Sequence, residues 1–249
     1  MNVSLAHQIF VTDPGQAQRT AFILHGIWGS GRNWVAMARR LAKTYPGWRF
    51  VTIDLPAHGE SQVPPGTWSI ERCADALLEF SERHPVQALI GHSFGGKVAL
   101  AFAHRAQVDL KSVWLLDSSI GDGRTATGDA IIETVQNTIQ SAPLPALHRE
   151  EVVRHFIEHG SSLMIARWMT TNLRREDDGF RWRFQPKIVN DLLEDYRRVN
   201  GWQMLERVQS KTPVHVVLAG RSQWWRGESQ ERLKILPGVA TYILPDAGH

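Results

Sequence analysis

The chain predicts an α/β fold, a mostly parallel sheet flanked by helices, and three observations carry that expectation. Short apolar runs of strand length alternate with stretches of helical spacing through the first 120 residues. The same rhythm resumes near residue 211, after a helix-rich interval. Between the run Val86 to Ile90 and a helix-like run from Lys97 to His104 lies Gly91-His92-Ser93-Phe94-Gly95-Gly96, a strand–turn–helix junction too sharp for side chains at both Gly91 and Gly95.

Taken in order, Ser4 to Val11 alternates as an edge strand does, and Asp13-Pro14-Gly15 closes it as a turn. Thr20 to Leu24 is an apolar run read as a buried strand. It runs into the glycine-rich loop His25-Gly26-Ile27-Trp28-Gly29-Ser30, ahead of helical spacing from Asn33 to Thr44. Arg49 to Leu55 reads as the next strand and Pro56 to Ser61 as a loop. Ser69 to His84 has its apolar residues at Ile70, Cys73, Ala74, Leu77 and Leu78, with Ser69 placed to cap the helix. Ser112 to Leu116 is a further strand ending at Asp117-Ser118-Ser119. From 121 to 210 the spacing predicts only helices, over Asp129–Ile139, Arg149–Glu158, Ser161–Leu173 and Pro186–Glu206, expected to sit over the strand ends as a cap. Val214 to Ala219, a helix near Glu228 to Ile235, and Ala240 to Leu244 complete a core of 1–120 and 211–249.

Composition narrows the function classes. Hydrophobic content of 43% and charged content of 21% are those of an ordinary globular protein. A net charge of +3, dispersed along the chain, does not argue for nucleic acid. No apolar run approaches the roughly 18 residues that would span a bilayer, and the first residues lack the pattern of a signal peptide. The one cysteine, Cys73, fits a reducing compartment, and a cytoplasmic location is the expectation.

The Gly91–Gly96 junction points to chemistry. Its geometry would hold Ser93 in a strained conformation with Oγ raised above the sheet, facing the positive end of the following helix. A serine hydroxyl at neutral pH needs a base within hydrogen-bond reach and a third group that orients the base.

With His25-Gly26, Asp54, His58-Gly59, Ser61, the Gly91–Gly96 elbow, Lys97 and the terminal Ala247-Gly248-His249 occurring in this order, the chain resembles the α/β-hydrolase fold superfamily along its whole length. It is most similar to the small serine esterase and thioesterase branch carrying Gly-His-Ser-x-Gly-Gly-Lys. The resemblance implies a Ser-acid-His chain order, with His249 as base. It implies Asp117 as acid, because Gln223 stands in the slot where many members carry theirs. It implies an oxyanion hole built from the Ile27 and Phe94 amides. Trp28, Met164, Trp168, Met169 and Trp225 are expected to shape an acyl site. The implied reaction is cleavage of a small to medium carboxylic ester through an acyl-enzyme, with no cofactor and no metal. An acyl thioester, another chemistry of this fold, and a non-catalytic hydrolase-like binding protein are the alternatives.

Two further patterns have bland readings. His155-Phe156-Ile157-Glu158-His159 matches an H-x-x-E-H zinc motif, but no third ligand is near in sequence. The arginines of the expected cap (Arg167, Arg174, Arg175, Arg181, Arg183, Arg197 and Arg198) read as a solvated face, or else as an attractor for an anionic substrate.

Overall fold

The computed structural model describes residues 3–121, 126–222 and 228–249. The strands are β1 (His7–Phe10), β2 (Arg19–Leu24), β3 (Trp48–Ile53), β4 (Ala88–His92), β5 (Ser112–Leu116), β6 (Leu173–Glu176), β7 (Gly179–Trp182), β8 (Val214–Ala219) and β9 (Val239–Leu244). The helices are α1 (Val35–Thr44), α2 (Ile70–Arg83), α3 (Phe94–Arg105), α4 (Ala126–Gln140), α5 (Arg149–Glu158), α6 (Leu163–Thr170), α7 (Pro186–Arg198), α8 (Trp202–Gln209) and α9 (Glu228–Lys234). A 3-10 turn, Gly31–Trp34, opens α1. Among the described residues, seven strands form one sheet in the order β1-β3-β2-β4-β5-β8-β9, with β1 antiparallel and the others parallel. This is the α/β-hydrolase architecture, and it brings the loops after β2, β4, β5, β8 and β9 to one end of the sheet.

Local chemistry sets the elements. Ser69 adopts extended backbone and its hydroxyl accepts from the Arg72 N–H at 3.2 Å, so α2 starts where the sequence predicts. Ile70, Cys73, Ala74 and Leu77 then fall on one buried stripe. Cys73 is packed there, and burial pushes its thiol pKa up, which leaves it inert. The main core spans the sheet, α2, α3 and the helices after β5, while a smaller cluster of Ala21, Ile23, Ala38, Ala42, Phe50 and Ala88 lies under α1. β5 and β8 are buried mainly on one face. Val113, Leu115, Val214 and Val216 are buried, whereas Trp114, Leu116, His215 and Val217 are partly exposed, with Trp114 stacked 4.0 Å from His215.

The insertion between β5 and β8 departs from the all-helical expectation in two places. Leu173–Glu176 and Gly179–Trp182 form an antiparallel hairpin, turned at Asp177-Asp178 and released by Gly179 at φ 140. The expected single helix from Pro186 to Glu206 is two. Asn200-Gly201 breaks it, and the Gly201 N–H donates to the Ile120 carbonyl at 2.7 Å.

Lys97 ties this insertion to the core. Its side chain is buried, and the ammonium donates to the carbonyls of Gly121 (2.6 Å), Tyr196 (2.7 Å) and Val199 (2.7 Å). Methionine fills similar space but donates nothing, so three inward-facing carbonyls would lose a charged donor. Lys97→Met is expected to cost about 2–4 kcal/mol and, in a chain of this size, to lower the melting temperature by roughly 5–15 °C. Calorimetry checks this, and a variant melting within 2 °C of wild type would count against the tie.

Candidate active site

β4 enters the turn at Ser93, whose φ of 50 and ψ of −118 lie where side-chain-bearing residues rarely sit. The glycines explain how the chain reaches that geometry. A Cβ on Gly91 would stand 2.3 Å from the Gly95 carbonyl oxygen, and one on Gly95 would stand 2.5 Å from that of His25. Strand, helix and the loop after β2 therefore meet at a separation no other residue permits. The turn is held by the Ser93 N–H donating to Leu116 O at 3.0 Å and the Ser118 hydroxyl donating to Ser93 O at 2.6 Å.

Three side chains distant in sequence meet at this turn. His249 Nε2 lies 3.0 Å from Ser93 Oγ, and its Nδ1 lies 2.6 Å from Asp117 Oδ2. The tautomer assigned from these partners carries its proton on Nδ1, so Nε2 is free to accept from the serine. Asp117 ends β5 at φ 43. Burial alone would raise its pKa. The bonds it accepts from His249, from the Ser222 hydroxyl and from the Ala219 N–H outweigh that and hold the carboxyl below its usual range. The histidine is carried by a loop stitched to the end of β8, where Gly220 N–H donates to Leu244 O at 2.8 Å and Arg221 N–H to Ala247 O at 2.9 Å.

The loop after β2 passes close beside the serine, since a Cβ on Gly26 would lie 3.3 Å from Ser93 Cβ. His25 fixes that loop with both ring nitrogens. Nδ1 donates to Gly26 O at 2.8 Å, and Nε2 accepts the Leu55 N–H at 2.9 Å. Burial lowers its pKa to about 4 and keeps it neutral. Asp54, His58 and Ser61 are the loop-fixing groups their sequence context suggests. Asp54 accepts from the Gly31 and Glu60 amides at 2.7 and 2.9 Å. His58 Nδ1 donates to Pro56 O at 2.9 Å, and the Ser61 hydroxyl donates to Asp54 O at 2.7 Å. Phe94 is the first residue of α3, so its N–H has no partner within the helix. Ile27 sits partly buried in the same loop as Gly26.

The expected acyl-site residues are placed unevenly. Trp28 is buried at φ 60, and its indole N–H has no partner among the described residues. On α6, Met164 is 78% exposed and Trp168 is 38% exposed. The helix turns Ala166, Met169 and Thr170 inward instead. Trp225 and Gln223 lie outside the described residues. Two residues at the site were not singled out from the sequence. One is Ser222, on Asp117. The other is Tyr196, buried on α7 with its ring 6.2 Å from that of Phe94. Neither carries a motif. Both arrive by tertiary placement.

His155 and His159 stand with their rings 4.1 Å apart, but among the described residues no group of three or more His, Cys, Asp or Glu could hold a metal ion. No helix among the described residues is long and apolar enough to cross a membrane. Most of the insertion's arginines are paired. Arg174 and Arg181 meet Glu176, Arg183 meets Glu60, Arg197 meets Glu194 and Arg198 meets Asp195.

The chain is similar to several known proteins. An sn-1-specific diacylglycerol lipase of Danio rerio is 23% identical over 99% of this chain and 77% of its own length. Lipase 1 of Psychrobacter immobilis is 23% identical over 97% of this chain and 74% of its own. Among solved structures, an esterase from a marine microorganism superposes over 100% of this chain and 93% of its own with a TM-score of 0.87, at 22% identity. The model of the alpha/beta hydrolase family matches residues 21–249. With the sheet order, the elbow and a match over most of its length in agreement, the chain belongs to the alpha/beta hydrolase family.

Proposed function

We propose that this hydrolase cleaves small to medium carboxylic esters, with Ser93 as nucleophile, His249 as general base and Asp117 as the orienting acid. The observation that carries this reading is the unbroken Asp117–His249–Ser93 relay, with contacts of 2.6 and 3.0 Å. Ser93 Oγ attacks the acyl carbonyl as His249 Nε2 takes its proton. Asp117 stabilises the imidazolium that forms, and the Ile27 and Phe94 amides receive the oxyanion. The imidazolium then protonates the departing alcohol. Water, deprotonated by the same nitrogen, hydrolyses the acyl-enzyme and restores the serine.

Residues 121–210 act as the cap over this site in our reading, and Trp28, Trp168 and Met169 bound the acyl group. The carboxylate partners of Arg174, Arg181, Arg183, Arg197 and Arg198 favour an uncharged ester over a phosphate-bearing thioester. The single, buried cysteine supports a cytoplasmic setting.

The test is intact mass and peptide mapping after exposure to a fluorophosphonate. A single adduct on the peptide containing Ser93 is the expected result. Absence of any adduct on folded protein, or an adduct elsewhere, would sink the assignment.

A further inference from the structure

Asp117 Oδ2 and Ser93 Oγ grip the imidazole of His249 at its two nitrogens, on different edges of the ring. Bonds placed this way fix the nitrogens but resist only weakly a roll of the ring about the line that joins them, because a hydrogen bond keeps much of its strength over a broad range of angles. The loop that carries His249 does little to stop such a roll, since the side chain is 38% exposed. What stops it has to stand against the side of the ring.

His92 stands there. It is the last residue of β4, and its ring centroid lies 5.0 Å from that of His249, with the planes 33° apart. That is contact distance for a pair of aromatic rings. The place of His92 is itself fixed from three directions. Its backbone is held in the sheet, in register with Leu116 of β5. The ring of Trp34, at the end of the 3-10 turn, lies 5.8 Å away. The loop after β2 closes the third side, where a Cβ on Gly26 would stand 2.9 Å from His92 Nδ1. As the chain neighbour of Ser93, His92 is as rigidly placed as the elbow. Burial, with His249 beside it, lowers its pKa to about 4, so the ring is uncharged at neutral pH and does not oppose the charge that His249 takes up.

Resting on Ser93 as nucleophile and His249 as base, we propose that His92 is a positioning residue: its ring supports the His249 imidazole and stops the roll that would turn the Nε2 lone pair away from the Ser93 hydroxyl. His92 exchanges no proton in the reaction. It acts through the base alone, by keeping it aimed.

The test is His92→Ala. Opening the space beside His249 is expected to slow fluorophosphonate labelling of the folded protein by about 3- to 10-fold. The kcat on p-nitrophenyl acetate should fall by a similar factor, with KM changed less than about twofold, the split expected when an interaction counts in the transition state alone. His92→Phe returns a flat ring to the same place and should bring both rates back to within about threefold of wild type. A ring that serves only the fold would lower the melting temperature and leave the rate per folded molecule unchanged, which would overturn the proposal. Equal slowing in His92→Ala and His92→Phe would overturn it too, by assigning the effect to an imidazole nitrogen. If His92→Ala does not fold, His92→Leu, which fills most of the space without a flat face, carries the same expectation and the same overturning result. Mapping the adduct separates this role from the identity of the nucleophile. An adduct away from Ser93 refutes the nucleophile and with it the proposal, whereas an adduct on Ser93 with a wild-type rate in folded His92→Ala refutes only the role of His92.

Discussion

Ester turnover is expected to fall by about 10³–10⁴-fold in Asp117→Asn, with the fold intact. The reason lies in the tautomer. Asp117 Oδ2, 2.6 Å from His249 Nδ1, accepts a proton held there and so leaves Nε2 bare to receive the proton of Ser93. An asparagine keeps the side chain's shape and an oxygen for the Ala219 N–H that now binds Oδ1. Its NH2 group would then face His249 Nδ1, two donors cannot share a hydrogen bond, and the ring would move its proton to Nε2. A protonated Nε2 cannot act as base. The substitution also removes the negative charge that stabilises the imidazolium. Steady-state kinetics on p-nitrophenyl esters, paired with a melting curve, check both halves. Activity above about a tenth of wild type would reassign the acid.

That this relay could be named from the sequence, and its neighbourhood could not, has a physical basis. Ser93 is legible because its turn demands glycines at fixed offsets, and the contacts at Gly91 and Gly95 show why no other residue fits. Asp117 and His249 are legible through the resemblance, which places an acid just after β5 and a base in the loop after β9, and the parallel strands bring both to the same end as Ser93. Tyr196 and Ser222 lack any such local demand. Tyr196 sits on α7 among residues that read as an ordinary amphipathic stripe, and only the docking of α7 through Lys97, Asp195 and Gly201 brings its ring beside Phe94 of the elbow. The β6–β7 hairpin was missed for the opposite reason. Four-residue strands rich in arginine, Leu173–Glu176 and Gly179–Trp182, carry too few apolar residues to declare a period of two. The break at Asn200-Gly201 was visible as a helix-stop pair, but the apolar stripe on either side hides it.

The second large effect is acid sensitivity of the fold, and it arises from the same loops that shape the site. His25 and His58 are fully buried, with their rings 5.0 Å apart. Burial lowers His25 to about 4, and burial with the nearby His25 lowers His58 to about 3. Unfolded, each would take a proton near pH 6.5. Below that pH the unfolded chain binds more protons than the folded one, so stability present at pH 7 and above is lost as the medium acidifies toward the folded values. Each histidine contributes about 1.4 kcal/mol per pH unit within that window, so the pair is expected to cost about 4 kcal/mol between pH 7 and pH 5. Asp117 acts in a different window. Its carboxyl is held below the usual range, so the stability it contributes is lost only at more acidic pH and does not blur the histidine slope. Urea unfolding at pH 7.5, 6 and 5 measures the effect. His58→Phe, which cannot titrate and keeps an aromatic ring beside Phe94 and Phe184, should be less stable at pH 7.5 but lose about 2 kcal/mol less than wild type on acidification to pH 5. An equal midpoint at pH 7.5 and pH 5 in the wild type would mean these two rings accept protons inside the fold. The backbone bonds that His25 makes to Gly26 and Leu55 would then have to rearrange, along with the loop that carries Gly26 past Ser93.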